Sequence, residues 1–282
     1  MNRTKEGMSL KAKINNYAKA NNIPTQTVLQ NFMFEHFLER LSKSDYKDMF
    51  IIKGGMLVSN LVGLATRSTM DLDVTLKNLS LDEATILNAV NKISTININD
   101  DIEFSDFKFD PIRPDDEYGG FRVRFNAKYF SIVTPLSIDI STGDKITPKP
   151  LEYEFSSIFE FKKTFKLWGY NIETVLAEKV QTIIIRGVAS TRPRDFYDVY
   201  ILVKDKTFNT EDFRKAFAET CIHRGTENLI KEPASGLSEI EQSKVLQDLW
   251  KKYSKQFNYA KDISYEDVMK SLKILLEKLE AN

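Results

Sequence analysis

Three aspartates give the first chemical signal. Asp71 and Asp73 stand two apart in Asp71-Leu72-Asp73-Val74-Thr75-Leu76, a run that alternates with period two. On a strand such residues share one face, while Leu72 and Val74 take the other. Two ionised carboxylates that close repel by about 4 kcal/mol at an effective dielectric of roughly 20. A cation between them relieves the repulsion. Magnesium suits the position, because this hard ion is held by one or two carboxylates together with substrate phosphates. Asp139 repeats the pattern in Leu136-Ser137-Ile138-Asp139-Ile140. If that strand lies beside the first, Asp71, Asp73 and Asp139 form one metal-binding, catalytic set. Two metals held there could activate an attacking hydroxyl and steady a leaving pyrophosphate. Taken alone, an Asp-x-Asp near a strand end also describes a solvated edge.

The glycine pair upstream separates these readings. Phe50-Ile51-Ile52-Lys53 is an apolar strand that runs into Gly54-Gly55 and then a short helix. Backbone N–H groups and the dipole at such a helix start favour phosphate. The ordered set of strand, Gly-Gly, helix, Asp-x-Asp strand and later Asp strand is far more specific than any one part.

Two positions in the second half bear on the same chemistry. Lys179 lies about 40° from Val175 around the helix that begins at Ile172, inside its apolar arc. A lysine there either snorkels outward or meets an anion. Glu178 points away from the stripe, as a surface or pairing residue. Arg192-Pro193-Arg194-Asp195-Phe196-Tyr197-Asp198 opens another helix, where first-turn acids ordinarily complement the macrodipole. Lys162, Lys163 and Lys166 beside Phe161, Phe165 and Trp168, with Arg186, Arg192 and Arg194, could contact RNA phosphates. A solvated face is the plainer reading of that run. His36, His223 and Cys221 read as packing residues.

The elements that must position these groups follow from periodicity. Residues 1–45 read as helices, with Val28, Leu29, Phe32, Met33, Leu38 and Leu41 at helical spacing after Pro24-Thr25. Residues 47–168 read as short strands and turns, with helices near 55–63 and 81–95; Phe121-Arg122-Val123-Arg124-Phe125 is a further alternating strand. From Tyr170 onward the pattern is helical: Ile172 to Arg186, a second helix holding Phe196 to Val203, a loop at 231–236, and a last helix capped by Ser264. The expected class is α+β, a mixed sheet flanked by helices and followed by a C-terminal helical region. The expected division is 1–168, with a helical lead-in at 1–45, and 169–282.

Composition narrows the classes. Of 282 residues, 42% are hydrophobic and 28% charged, the profile of a globular protein. Lys plus Arg equal Asp plus Glu at 40 each, so no global field draws the chain to nucleic acid or membrane. A single cysteine and two histidines leave carboxylates, lysines and arginines to carry any chemistry. No apolar run approaches about 18 residues and no signal peptide opens the chain, so a cytoplasmic address without membrane contact is expected; a monomer is expected as well.

These residues together resemble a known family. Gly54-Gly55 followed by Asp71-x-Asp73 and Asp139 is similar to the signature of DNA polymerase beta-like nucleotidyltransferases. More narrowly, Lys53-Gly54-Gly55, Arg67-x-Thr69-x-Asp71-x-Asp73, Ile138-Asp139-Ile140, Glu178-Lys179 and Arg194-Asp195-Phe196-Tyr197-Asp198 resemble the AbiEii/AbiGii toxins of bacterial toxin–antitoxin and phage abortive-infection systems. The likeness runs from about residue 9 to 203. It implies transfer of nucleotides from a nucleoside triphosphate with magnesium, GTP being the triphosphate it favours, and a separately encoded antitoxin. It also implies that Gly54, Gly55, Arg67, Thr69, Lys179 and Arg194 contact nucleotide, and that Lys179 and Asp195 join the three aspartates in catalysis. Asp198 is read as structural. One departure stands out: the general signature has serine after its glycine, whereas Gly55 and Met56 offer no hydroxyl, and Ser59 lies a helical turn further on.

Three readings follow. The first is nucleotide transfer to RNA, such as a tRNA 3′ end. The second is the same transfer to a protein hydroxyl, which neutral net charge keeps in view. The third is a nucleotide-binding module without catalysis, which the intact carboxylates disfavour. A metal nuclease would leave Gly54-Gly55 and Lys179 unexplained.

Overall fold

Strands that alternate apolar and polar residues need one face covered, and the second helix of the chain covers it. In the computed structural model, which describes residues 3–112, 120–160 and 162–280, the chain forms two compact units. One comprises residues 1–144 and 151–169, the other 145–150 and 170–282. Phe161 of the basic run lies outside the described residues.

The first unit begins with helices α1 (Arg3–Asn21) and α2 (Thr25–Ser42). Then follow β1 (Phe50–Lys53), α3 (Gly54–Val62), β2 (Leu72–Leu76), α4 (Glu83–Ser94), β3 (Ile102–Ile112), β4 (Gly120–Tyr129), β5 (Ile132–Thr142), β6 (Leu151–Ser156) and β7 (Thr164–Gly169). The strands make a seven-stranded mixed sheet of order β3-β4-β5-β2-β1-β7-β6. β2 runs antiparallel to β1 and parallel to β5; β7 runs parallel to β1. Ile52, Leu72, Val74, Ile138, Ile140, Val123 and Phe125 fall on one buried face. α2 lies on that face: Phe37 packs at a tilt against Phe125, centroids 5.4 Å apart, and meets Phe104 edge-on at 5.7 Å. Asp82 caps α4 by accepting from the Thr85 N–H at 2.9 Å.

His36 does more than pack. Its Nδ1 lies 2.8 Å from Asp100, whose carboxylate also receives Arg40 at 2.8 Å. Arg40 in turn donates to the carbonyls of Ile96 and Ile102, tying α2 to the chain before β3. Lys163 pairs with Glu39 at 2.7 Å, which takes one lysine out of the solvated face.

The second unit is helical: α5 (Ile172–Arg186), α6 (Pro193–Asp205), α7 (Thr210–His223), α8 (Asn228–Lys231), α9 (Leu237–Gln242), α10 (Lys244–Gln256) and α11 (Tyr265–Glu280). Asn171 caps α5 through the Thr174 N–H, and Gly187, at φ 47°, ends it. Ser264 and Asp267 cap α11 reciprocally: Asp267 N–H donates to the Ser264 hydroxyl and Ser264 N–H to the Asp267 carboxylate. Leu272, Leu275 and Leu276 are buried along that helix.

Candidate active site

Pairing register brings the charged residues of the sheet into one row. Lys53 on β1 is opposite Asp73 on β2, Asp73 is opposite Asp139 on β5, and Asp139 is opposite Arg122 on β4. Arg122 is in turn opposite Asp110 on β3. Directly paired residues point to the same side, so all five share the face turned away from α2. In the row, charges alternate in sign except at its centre, where two carboxylates adjoin on strands about 4.8 Å apart.

Arg122 and Lys53 are both fixed by hydrogen bonds on this face. Arg122 grips Asp139 with both arms of its guanidinium, Nε to Oδ1 and Nη2 to Oδ2, each at 2.6 Å. That hydrogen bond, with the charges of Asp139, Asp71 and Asp73, pushes the Arg122 pKa further up; all three aspartates therefore act on this one cation. Lys53 reaches across β2 to donate to the Ser141 hydroxyl at 2.7 Å and to Asp144. Asp71 stands one residue ahead of β2 and is exposed; the Thr69 hydroxyl lies 3.4 Å from both its N–H and its carbonyl.

The glycine pair fits between these groups. Gly54 has φ +63°, and a Cβ there would lie 2.0 Å from Asp73 Oδ2. A Cβ on Gly55 would lie 2.7 Å from the Thr69 hydroxyl and 3.1 Å from Arg67 Nη2. The bare backbone at the start of α3 thus packs directly against the Asp73 carboxylate and over two buried side chains. Arg67 and Thr69, expected to contact nucleotide, are 2% and 3% exposed, and Arg67 donates to the Ser68 carbonyl at 2.6 Å. Ser59, the hydroxyl a turn further along α3, is buried as well.

The set suits a divalent cation in donor type and in register: oxygen ligands alone, with two carboxylates side by side behind a glycine backbone. It is not closed around one. Among the described residues, no group of three or more His, Cys, Asp or Glu side chains is arranged to hold a metal ion. Arg122 stands in for a cation at both oxygens of Asp139.

In the helical unit, Lys179 meets anions and does not snorkel. Its amino group lies 2.6 Å from Asp195 and 2.9 Å from Asp198, one turn apart on α6 and 1% and 0% exposed. Arg192 takes the other oxygen of Asp195 at 2.6 Å. The Arg194 guanidinium sits over the Phe257 ring, 5.7 Å from its centroid. Glu178 pairs with Arg224 at 2.9 Å, the surface pairing expected of it.

Sequence reading passed over Arg122. The alternation Phe121-Arg122-Val123-Arg124-Phe125 identified the strand, but which arginine faces Asp139 depends on cross-strand register.

Residues 36–271 match the family described as nucleotidyl transferase AbiEii toxin, type IV toxin–antitoxin system. Among solved structures, one from H. pylori described as a candidate nucleotidyltransferase is similar at TM-score 0.49 and 16% identity, over 92% of this chain and 98% of that one. JHP933 from Helicobacter pylori is similar at TM-score 0.48 and 17% identity, over 91% and 94%. No curated protein matches the chain.

Proposed function

The chain belongs to the AbiEii nucleotidyltransferase toxin family of type IV toxin–antitoxin systems, and from that premise we propose that it transfers a nucleotide from a triphosphate to an RNA end, with Asp71, Asp73 and Asp139 as its metal-binding carboxylates. One observation carries the reading: Asp73 and Asp139 are register partners on adjacent central strands, with the Gly54 backbone against Asp73. Asp73 and Asp139 would hold the ion, with Asp71 beside them. Magnesium, when bound there, would neutralise the carboxylates and polarise the phosphorus under attack. The acceptor hydroxyl forms a bond to the α-phosphorus, the bond to the bridging oxygen breaks, and pyrophosphate leaves. The hydroxyl proton passes to a carboxylate of the set. Backbone N–H groups at the start of α3 bind phosphate without a hydroxyl, consistent with the Gly54-Gly55 departure.

For the helical unit, family resemblance assigns Lys179 and Arg194 to phosphate and Asp195 to catalysis or orientation. The ion pairs support orientation, since Asp195 spends one oxygen on Lys179 and the other on Arg192. GTP as donor, a tRNA 3′ end as acceptor, a separately encoded antitoxin, a monomeric state and a cytoplasmic location complete the proposal. No helix among the described residues is long and apolar enough to cross a membrane.

The test supplies each labelled triphosphate with total RNA and magnesium, and runs colony formation on expression in parallel. Wild-type protein should label RNA and block growth. Asp73→Asn, confirmed folded by thermal melting, should do neither. A folded Asp73→Asn protein that stays fully toxic would overturn the reading in favour of a binding module. Label arriving on protein in place of RNA would select the protein-hydroxyl alternative, which the balance of 40 basic and 40 acidic residues keeps in view.

A further inference from the structure

Adjacent ionised carboxylates are costly in the absence of a cation, and this sheet carries its own. Arg122 is fixed on the middle of β4, opposite Asp139, with a rigid fork that matches a carboxylate. Both Asp139 oxygens accept from the guanidinium fork, so a metal that binds Asp139 competes with Arg122 for the carboxylate's charge and for the lone pairs the fork occupies.

We propose that Arg122 is a resident counter-ion of the metal site, one that holds Asp139 when no divalent cation is present and competes with the cation for it. This rests on the assignment of Asp73 and Asp139 as metal ligands. The geometry supports exchange rather than a permanent lock. The Arg122 side chain is 39% exposed and that of Asp139 28%, so the pair is reached by solvent and is weak enough to open. On the far side of Arg122 stands its other register partner, Asp110, 44% exposed and paired with Arg124. A guanidinium leaving Asp139 therefore swings toward a second carboxylate on the neighbouring strand and is not left unpartnered. Phosphates of an incoming triphosphate are an equivalent destination for the same fork. Metal uptake then weakens the hold of Arg122 on Asp139. The charge row explains why the device sits here: Lys53, opposite Asp73, sends its amino group across β2 to Ser141 and Asp144, whereas Arg122 stays on its own register partner, Asp139.

The test is calorimetric titration of the full chain with magnesium, comparing wild type, Arg122→Gln, Arg122→Lys and Asp73→Asn, with melting temperatures read with and without the ion. Arg122→Gln removes the charge but keeps a donor, and should bind magnesium about fivefold more tightly, the scale of a half-exposed ion pair. Its metal-free form should melt lower than wild type and gain more on adding the ion. Arg122→Lys, which keeps charge without the fork, should fall between them and serves if the Gln variant does not fold. If Asp73→Asn loses binding while Arg122→Gln binds as wild type does or more weakly, the counter-ion is refuted and the metal site stands. If Asp73→Asn binds magnesium as wild type does, the metal-site assignment itself fails and the counter-ion falls with it.

Discussion

A glycine and an aspartate define the site's tolerance at the residue scale. Gly54 is constrained twice, by φ +63° and by Asp73 Oδ2 at 2.0 Å from a would-be Cβ, whereas Gly63 has φ +93° with nothing within 4 Å. Gly63, at φ 93° and ψ 143°, lies beyond the left-handed helical well, in a region that costs a non-glycine residue about 1–3 kcal/mol. Gly63→Ala should therefore lose about that much in chemical denaturation, and Gly54→Ala clearly more, together with magnesium binding. Equal losses would mean that the Asp73 carboxylate moves aside freely. The shared face of Asp73 and Asp139 was legible in the sequence because period-two alternation states which face each occupies, whereas Asp71, expected on the same strand, stands one residue ahead of β2. Arg122 was not legible, because a partner's register is a property of two strands and only one of them is read at a time.

At the scale of elements, α5 and α6 are joined through charge. Lys179 projects from α5 to two aspartates of α6, all three largely buried. Replacing one partner of a buried pair leaves uncompensated charge, at a cost of about 3–5 kcal/mol. Lys179→Met should accordingly lower the thermal melting point by itself, so its effect on triphosphate binding must be read on protein shown to be folded. Adding Asp198→Asn to Lys179→Met should restore part of the loss. A Lys179→Met protein that melts as wild type does would show the pairs to be dispensable. Some helices were read from the sequence nearly to the residue: the apolar run Ile172 to Arg186 is α5, and Ser264 does cap α11, whereas α7, α8, α9 and α10 were not separately drawn. Strands β3, β6 and β7 were not separately drawn. β3 breaks its own period at Ser105/Lys108, with Asp106 at φ 60°, and both β6 and β7 interleave charged residues with few buried ones.

For the whole molecule, equal numbers of acidic and basic residues mean no net self-repulsion near neutrality, so acid stability falls to particular carboxylates. Asp100 is one. Burial pushes its pKa up, but the hydrogen bond from His36, the Arg40 charge and the Ile102 N–H outweigh it and hold the carboxyl below its ordinary value. A carboxyl depressed on folding contributes stability above its unfolded pKa of about 3.9, lost as pH falls through the folded value. Asp100→Asn should unfold more easily than wild type at pH 6, and the gap should narrow once pH drops below about 4. A gap of constant size down to pH 3 would remove Asp100 from the acid response. The division of the chain was legible only in part, since nothing in residues 145–150 announces that they leave the sheet for the helices. That detour governs how the protein could be dissected. Thr147 and Lys149 supply the carbonyls for the Asn171 amide, and Thr147 also bonds the Thr174 hydroxyl, at two positions 1% and 0% exposed. A fragment begun at residue 170 would bury both groups without partners. The shortest stretch that keeps them starts at 145 and carries β6 and β7 along as a hairpin stripped of β1, an open edge that invites another chain.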